Sequence, residues 1–424
     1  MNFKDSIKLI NNFMYYLTKD IFFVQGAVNA CIYDLRGDKV ALYHLDKEAK
    51  ISLNNLFTKS RVSENDSKLI QKLKSLNLID SENLKISKTP IVDKNLISIS
   101  FAWIEVTNKC NFKCIHCYGM FGEDKGKIIQ LNDFEVILNN LKQLQVDSIQ
   151  LIGGEPLIIG KKLKDYIILA TKFVKNIEIY TNASLIDDDF AKFFKDKDIK
   201  IAISAYDSNN NHDKITKRNG SFIRLQKSIK ILESYDIPYR VAIVKTKLNP
   251  NATPKNLKES LNITKGNVRD DVVRLTGRGN LSLLDINLIE RQLITIENFK
   301  SNKIQSDFVK SNMVKHNCFS SKIYIDVNLD VYPCVMERKV SYGNMMNQDL
   351  SQILTSNNNL FNFTKDNIEE CKDCEFRYAC FDCRPNNPSE NFSAKPWYCS
   401  YDPYIGKWKE KKPFIQNIIN GSNL

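Results

Sequence analysis

FAWIEVTNKCNFKCIHCYG, residues 101–119, joins two unlike halves. Phe101 to Val106 alternates aromatic and branched residues in the way of a strand. Directly after it, Cys110, Cys114 and Cys117 fall within eight positions. Three thiolates are one short of a closed tetrahedral site. Outward from this stretch, from about residue 98 to 280, strand-like segments alternate with helical ones. SIQLIG (148–153), IEIYTN (177–182), IKIAIS (199–204), YRVAIVK (239–245) and DVVRLTG (271–277) are separated by FEVILNNLKQL, LKDYIILATKFV, DDFAKFF and FIRLQKSIKILESY. About six β-α units call for a parallel sheet with covering helices. The unusual residues stand just after successive strands, which favours a partial (β/α)6 barrel over a doubly wound sheet.

The chain around this barrel sorts by composition. Residues 1–92 read as a small winged-helix-like α+β module. It has an amphipathic helix through Ile7, Ile10, Phe13 and Leu17, then strands with a turn at Gly37-Asp38, then a helix opening near Ser63. SKTPIVDKN (87–95) reads as a linker. Residues 281–315 read as a helical bridge, and 316–424 as a cysteine-rich domain organised around metals. No apolar run approaches the ~20 residues of a membrane span. Charges at Lys4, Asp5 and Lys8 exclude an uninterrupted signal sequence, so a cytoplasmic protein is expected. Eleven cysteines there argue for metal or redox chemistry over disulfides. The balance of 61 basic to 49 acidic residues is scattered, as a solvated surface is.

Cysteines at this spacing on a loop can wrap three corners of a cuboidal iron–sulfur cluster, leaving the fourth iron open to something other than protein. Zinc is the competing reading, but it needs a fourth Cys or His nearby, and His116 lies between two of the ligands. LIGGEP (151–156) then follows the next strand. Together, C-x3-C-x2-C and GGEP resemble the radical S-adenosylmethionine (SAM) superfamily over residues 98–280. The resemblance implies that the open iron binds the amino and carboxylate groups of SAM. It also implies that cluster reduction cleaves SAM to methionine and a 5′-deoxyadenosyl radical, which takes hydrogen from a substrate. By the same resemblance, Gly153, Gly154 and Glu155 hold the SAM amino group, and Thr181 and Asn182 face the ribose. Ser204 and Arg218 supply ribose and carboxylate contacts, and His116 packs over the cluster. Without the resemblance, Thr181-Asn182 is a strand-end turn and Arg218 a surface arginine.

In the tail, Cys371, Cys374, Cys380 and Cys383 give C-x2-C-x5-C-x2-C, with Cys318 and Cys334 before and Cys399 after. This order resembles the SPASM domain of radical SAM enzymes that modify peptides, over residues 316–402. The resemblance implies two auxiliary 4Fe–4S clusters, and so three in all. The outer one is held by Cys371, Cys374, Cys380 and Cys399, the inner by Cys318, Cys334 and Cys383. Two departures stand out. Leu329 occupies a position that is usually glycine, and only Phe381 and Asp382 separate Cys380 from Cys383. Seven cysteines where two full clusters need eight leave the inner cluster with an open site, to be filled by His316, water or a substrate group.

Residues 1–92 hold 14 Lys and Arg against 10 Asp and Glu with no basic helical face, which argues against DNA binding. In front of a radical SAM/SPASM enzyme the module resembles the RiPP recognition element, where a leader peptide adds as a strand to a sheet edge. FFVQGAVNACIYDLRGDKVALYHL (22–45) and CEFRYACFDCR (374–384) resemble the grasp-associated maturases. The expected function is thus crosslinking of a ribosomally made precursor peptide, through a thioether or carbon–carbon bond. No catalytic side chain is assigned, and the expected partners are the precursor and a one-electron reductant such as flavodoxin or ferredoxin, with no nucleic acid and no membrane. Two rivals stand beside this reading. One is a formylglycine-forming, anaerobic sulfatase-maturase-like enzyme, with Asp326 or Asp330 as its acid. The other is a non-catalytic iron–sulfur electron-transfer or sensor protein.

Overall fold

A computed structural model describes residues 16–58, 64–80, 99–122, 126–208, 210–300, 303–319, 321–389 and 391–421. The helix expected through Ile7, Ile10 and Phe13 lies outside the described residues, as do Ser63 and the linker at 87–95. Leu17, expected on that helix, lies instead in β1 (Tyr16–Leu17), which pairs with β5 (Ile79–Asp80) at the far end of the module. Between them come β2 (Ile21–Gln25), β3 (Ala30–Asp34), β4 (Ala41–Leu45), α1 (Lys47–Thr58) and α2 (Glu64–Ser75). The three longer strands form an antiparallel sheet in the order β2-β3-β4, and the β3–β4 turn falls at Gly37-Asp38 as expected.

Both faces of this sheet are covered, which is why its strands read as nearly continuous apolar runs. Ile21, Ile32 and Leu45 pack on Leu53, Leu56 and Leu73 of the helices. Phe22, Val24, Cys31 and Tyr33 pack instead into a core shared with the bridge and the tail, including Phe299 and Phe376. Polar contacts fix the same face. Tyr33 Oη donates to Glu375 O at 2.7 Å, and Ala27 N donates to Asp373 O at 2.7 Å. Cys31 is fully buried there, as a small apolar residue would be.

The barrel strands are β6 (Phe101–Thr107), β7 (Ser148–Gly153), β8 (Asn176–Thr181), β9 (Lys200–Ala205), β10 (Tyr239–Lys245) and β11 (Asn267–Val272). They run parallel in sequence order, with α3 (Leu131–Gln143), α4 (Lys161–Ala170), α5 (Asp188–Asp196), α6 (Asn210–Thr216), α7 (Ser221–Ser234) and α8 (Pro254–Leu261) as crossovers. Parallel strands buried on both faces usually read as unbroken apolar runs. These alternate, because one face is a lumen lined by mixed aromatic and polar side chains. Ile104, Leu151, Ile179, Ile203 and Ile243 point outward onto Phe134, Leu163 and Leu225, while Trp103, Gln150, Tyr180 and Ser204 point inward. Local chemistry starts α5, where Asp187 Oδ1 accepts from Phe190 N at 2.8 Å, with Asp188 and Asp189 in the first turn.

After α9 (Ile286–Gln292) and α10 (Ser306–Asn312) of the bridge, the tail returns to the barrel. Its β12 (Lys322–Ile325) pairs parallel with β6, setting Ile323 beside Ala102, and β13 (Asp330–Tyr332) and β14 (Gly343–Asn344) extend the edge. The cysteine-rich tail is thereby hydrogen-bonded to the strand that carries the first cysteine loop. Among the described residues no helix is long and apolar enough to cross a membrane.

Leu329, in the β12–β13 turn, has φ of 66°, so the backbone there takes the conformation the usual glycine would provide. A left-handed leucine costs about 1–2 kcal/mol, but its side chain is buried in the barrel core. Truncating a buried leucine costs about 2–5 kcal/mol. Packing therefore outweighs strain, and Leu329→Gly should lower unfolding free energy by about 1–2 kcal/mol in denaturant titration.

Candidate active site and cluster sites

The loop after β6 folds over the end of the barrel and is tied down along its length. Cys110 N donates to Gly122 O at 3.0 Å, Lys113 N to Thr216 O at 3.1 Å and Ile115 N to Ile215 O at 3.0 Å. Arg278, which sequence reasoning missed, staples the middle: its Nε donates to Cys114 O at 2.8 Å and its Nη2 to Phe121 O at 2.7 Å. The signal for it was faint, an arginine between two glycines after the last barrel strand.

The GGEP turn holds the other side. Gly154 N donates to Thr107 O and Glu155 N to Lys109 O, both at 2.8 Å. A Cβ on Gly153 would stand 2.0 Å from Thr107 O, and one on Gly154 would stand 2.1 Å from Lys109 O. The glycines thus permit close approach of the cysteine loop's own backbone, beyond whatever they allow a ligand. Glu155 is fully buried beneath them. It accepts from Leu157 N at 3.0 Å, Thr181 Oγ1 at 2.7 Å and Asn182 N at 2.7 Å. Burial raises its pKa to about 7, against these three donors. Its role in this structure is to lock the end of β7 to the end of β8.

Cys110, Cys114 and Cys117 line one cavity of about 230 Å³ together with Gly153, Gly154, Thr181, Asn182 and Ser204. Glu155 supports that wall without lining it. Arg218 is not brought to the cavity; it is exposed on the turn between α6 and α7. His116 does line it, with its ring edge-on to Tyr206 at 4.7 Å, and burial lowers its pKa to about 4.

In the tail, Cys371, Cys374, Cys380 and Cys399 line a second cavity, beside Lys365 and Lys395. Cys383 lines a groove of about 550 Å³ between the tail and the bridge. Arg384 N donates to Cys318 Sγ at 3.5 Å, tying the Cys383 turn to Cys318. Val335 and Met336, next to Cys334, form part of the wall of the first cavity, while Asp271 and Arg274 line both the first cavity and the groove. The two spaces therefore share a wall, with Cys383 on the groove side and Cys334 next in sequence to the residues of the cavity side.

His316 lies between Cys318 and Asp382. Its Nδ1 accepts from Cys318 N at 3.1 Å, and its Nε2 lies 3.5 Å from Asp382 Oδ2. Asp326 Oδ1 accepts from Asn328 N at 2.8 Å and Asp330 N at 3.0 Å, closing the β12–β13 turn away from the cavity. Tyr342 carries a buried hydroxyl with no hydrogen-bond partner among the described residues.

All eleven cysteines are free. Burial pushes the Cys114 thiol up to about 12 and the Cys380 and Cys383 thiols up to about 11, so these groups ionise only with a cation to hold the thiolate. Among the described residues, no three His, Cys, Asp or Glu side chains converge on a point suited to one metal ion, as zinc would require. Cysteines spread round a cavity suit a cluster, whose ligands bind different corners. The donor sets fit iron–sulfur clusters, and the first cavity, with glycine and polar walls beside its thiols, fits SAM.

Residues 104–259 match the model of the radical SAM superfamily, and residues 318–375 match SPASM, an iron–sulfur cluster-binding domain. The sporulation killing factor maturation protein SkfB of Bacillus subtilis is 23% identical over 261 residues, 59% of this chain and 63% of that protein. The cysteine-type anaerobic sulfatase-maturating enzyme of Clostridium novyi is 29% identical over 168 residues, 35% of this chain and 44% of that one. The chain spans about half the length of the curated relatives it matches. Among solved structures, Streptococcus suis SuiB bound to its precursor peptide SuiA shares the fold with TM-score 0.54 at 17% identity. That match covers 90% of this chain and 99% of SuiB.

Proposed function

We propose that this radical SAM/SPASM enzyme modifies a ribosomally made precursor peptide, forming a thioether or carbon–carbon crosslink. The observation that carries the reading is the shared wall: the loop next to Cys334 closes the cavity that Cys110, Cys114 and Cys117 open onto. A substrate in that cavity would lie between a radical source and an auxiliary cluster. Bound there, the first cluster and SAM would supply the 5′-deoxyadenosyl radical. Cys371, Cys374, Cys380 and Cys399 would hold the outer cluster, and Cys318, Cys334 and Cys383 the inner one. With His316 turned to Asp382, the inner cluster would have a corner for a peptide thiolate, the soft ligand iron prefers over water.

The protein's own residues define what the cavity can do. Arg278 and the GGEP turn fix the loop, Trp103, Tyr180 and Tyr206 narrow the lumen, and Val335 and Met336 keep the tail side apolar. The formylglycine reading needs a carboxylate at this wall; neither Asp326 nor Asp330 lines it, Asp330 Oδ1 instead accepting from Asn344 Nδ2 at 2.8 Å, and the Asp271 that does line it is bound to Arg274 at 2.9 Å. A cavity of this kind is likewise more than an electron carrier requires. The likeness to SuiB, bound to its precursor peptide, supports a peptide substrate, and the grasp-associated group is the subfamily we favour. We place the reaction in the cytoplasm, fed by a flavodoxin- or ferredoxin-type reductant.

The leader would add to β4. Its odd-numbered residues pair with β3, whereas Val40 N donates outward to Ile304 O at 3.0 Å. By the same alternation the backbone groups of Leu42 and His44 face outward, and among the described residues neither has a backbone partner there. Proline is tolerated on an edge strand when its missing N–H faces out. Leu42→Pro should therefore weaken leader binding to the full-length enzyme at least ~10-fold, about 1.4 kcal/mol, by titration calorimetry. Unchanged affinity would place the leader elsewhere.

A further inference from the structure

Lysine is almost never fully buried, yet Lys365 is 2% exposed, in the wall of the four-cysteine cavity. Its ammonium donates to Cys380 Sγ at 3.4 Å and lies 3.6 Å from Asp382 Oδ2. Asp382 already has a partner: Arg384 Nε stands 2.8 Å from the same oxygen, and Tyr398 Oη donates to the other at 3.1 Å. All these side chains are buried. Two cations thus face one carboxylate in a region closed to water, and His316 beside them adds no negative charge.

A buried charge is costly unless it is paired and hydrogen-bonded, and one carboxylate neutralises only one of these two cations. The surplus here calls for a further anion. The group Lys365 meets is the Cys380 sulfur, neutral as a thiol and anionic as a cluster ligand. The lysine is placed for a charge that appears when the cluster is bound.

We propose that Lys365 sets the reduction potential of the outer auxiliary cluster, as a fixed ammonium hydrogen-bonded to the ligand Cys380 that makes this cluster easier to reduce. The inference rests on the cluster assignment made above. Net charge and hydrogen bonds to sulfur are among the levers that set such potentials. Reduction by one electron adds negative charge to the cluster, and the ammonium stabilises that form more than the oxidised one. The effect is directional. Cys380 and Cys383 sit on one turn of chain with Asp382 between them, and the inner site meets this turn through Arg384 N at Cys318 Sγ, 3.5 Å. Lys365 touches the outer sulfur directly, and among the described residues it bonds to none of Cys318, Cys334 and Cys383.

The test is an EPR-monitored reductive titration of full-length, iron-reconstituted protein carrying Cys110→Ala, Cys114→Ala and Cys117→Ala, so that only the auxiliary clusters report. The outer wave is identified by its loss in Cys399→Ala. Lys365→Met should lower the outer cluster's reduced-to-oxidised ratio at fixed potential about tenfold, equal to ~59 mV for a one-electron couple. The inner wave should stay in place. Lys365→Gln, which keeps an N–H donor without the charge, should fall with methionine, while Lys365→Arg should stay near the parent. An outer potential unchanged in Lys365→Met with iron retained would overturn the proposal. So would loss of the outer cluster in both neutral variants, which would make Lys365 a structural strut. Failure of the cluster assignment itself is separate, appearing as iron well below about eight per chain in the parent protein.

Discussion

Replacing Cys110, Cys114 and Cys117 together with alanine should abolish SAM cleavage while leaving the tail clusters in place. Iron should fall from about twelve to about eight per chain. The arithmetic follows from the three clusters proposed above, two of whose donor sets line separate cavities. The loop cysteines line the barrel cavity, and four tail cysteines line another cavity against Ile294 and Phe299 of the bridge. Among the described residues none of the first set supports the second: Cys374 N donates to Cys371 O at 3.0 Å within the tail, and Cys399 is bridged to Ile294. The loop should also survive without its cluster, because Arg278 and the backbone bonds to Thr216 and Ile215 do not involve sulfur. Iron analysis and the yield of 5′-deoxyadenosine under reducing conditions check this. Residual cleavage in the triple variant, or iron near four, would overturn the division into one radical-generating and two auxiliary sites.

The radical SAM and SPASM segments were legible in the sequence because cluster ligation demands fixed local spacing, which survives as C-x3-C-x2-C and C-x2-C-x5-C-x2-C whatever surrounds it. The barrel was legible for a related reason: each β-α unit repeats a short alternation that the lumen and the helices impose. What escaped were residues whose meaning comes only from distant partners. Arg218 and Arg278 look alike in sequence, yet the first is exposed on a helix turn and the second bonds two carbonyls of the cysteine loop. Lys365 carries no local mark at all; it becomes notable only when the fold sets it against Cys380 and Asp382. Leu329 shows the reverse case, a side chain that departs from the usual glycine while the backbone keeps the glycine conformation.

The GGEP turn gives the sharpest test of why its glycines are there. Gly154→Ala should abolish SAM cleavage, and Gly160→Ala, six residues on, should leave it nearly intact. A methyl group at 154 would lie 2.1 Å from Lys109 O and 2.9 Å from Cys110 Cβ, distances that backbone movement alone can relieve. The loop cannot retreat without breaking the 2.8 Å bonds from Gly154 N and Glu155 N that position it. Cys110 would therefore move, and misplacing a catalytic group by about 1 Å can cost ~100-fold in rate. Loss of one cysteine's position should also weaken cluster retention, so iron should fall toward eight of about twelve per chain. Gly160 is glycine for the opposite reason. Its φ of 58° and ψ of −131° disfavour any side chain, but a Cβ there meets nothing within 4 Å. Alanine at 160 should cost about 1–3 kcal/mol of stability through the backbone alone. Both proteins should fold, as judged by circular dichroism, and differ in iron content and deoxyadenosine yield. If Gly154→Ala kept full cleavage, the close approach of turn and loop would not be what holds Cys110 in place.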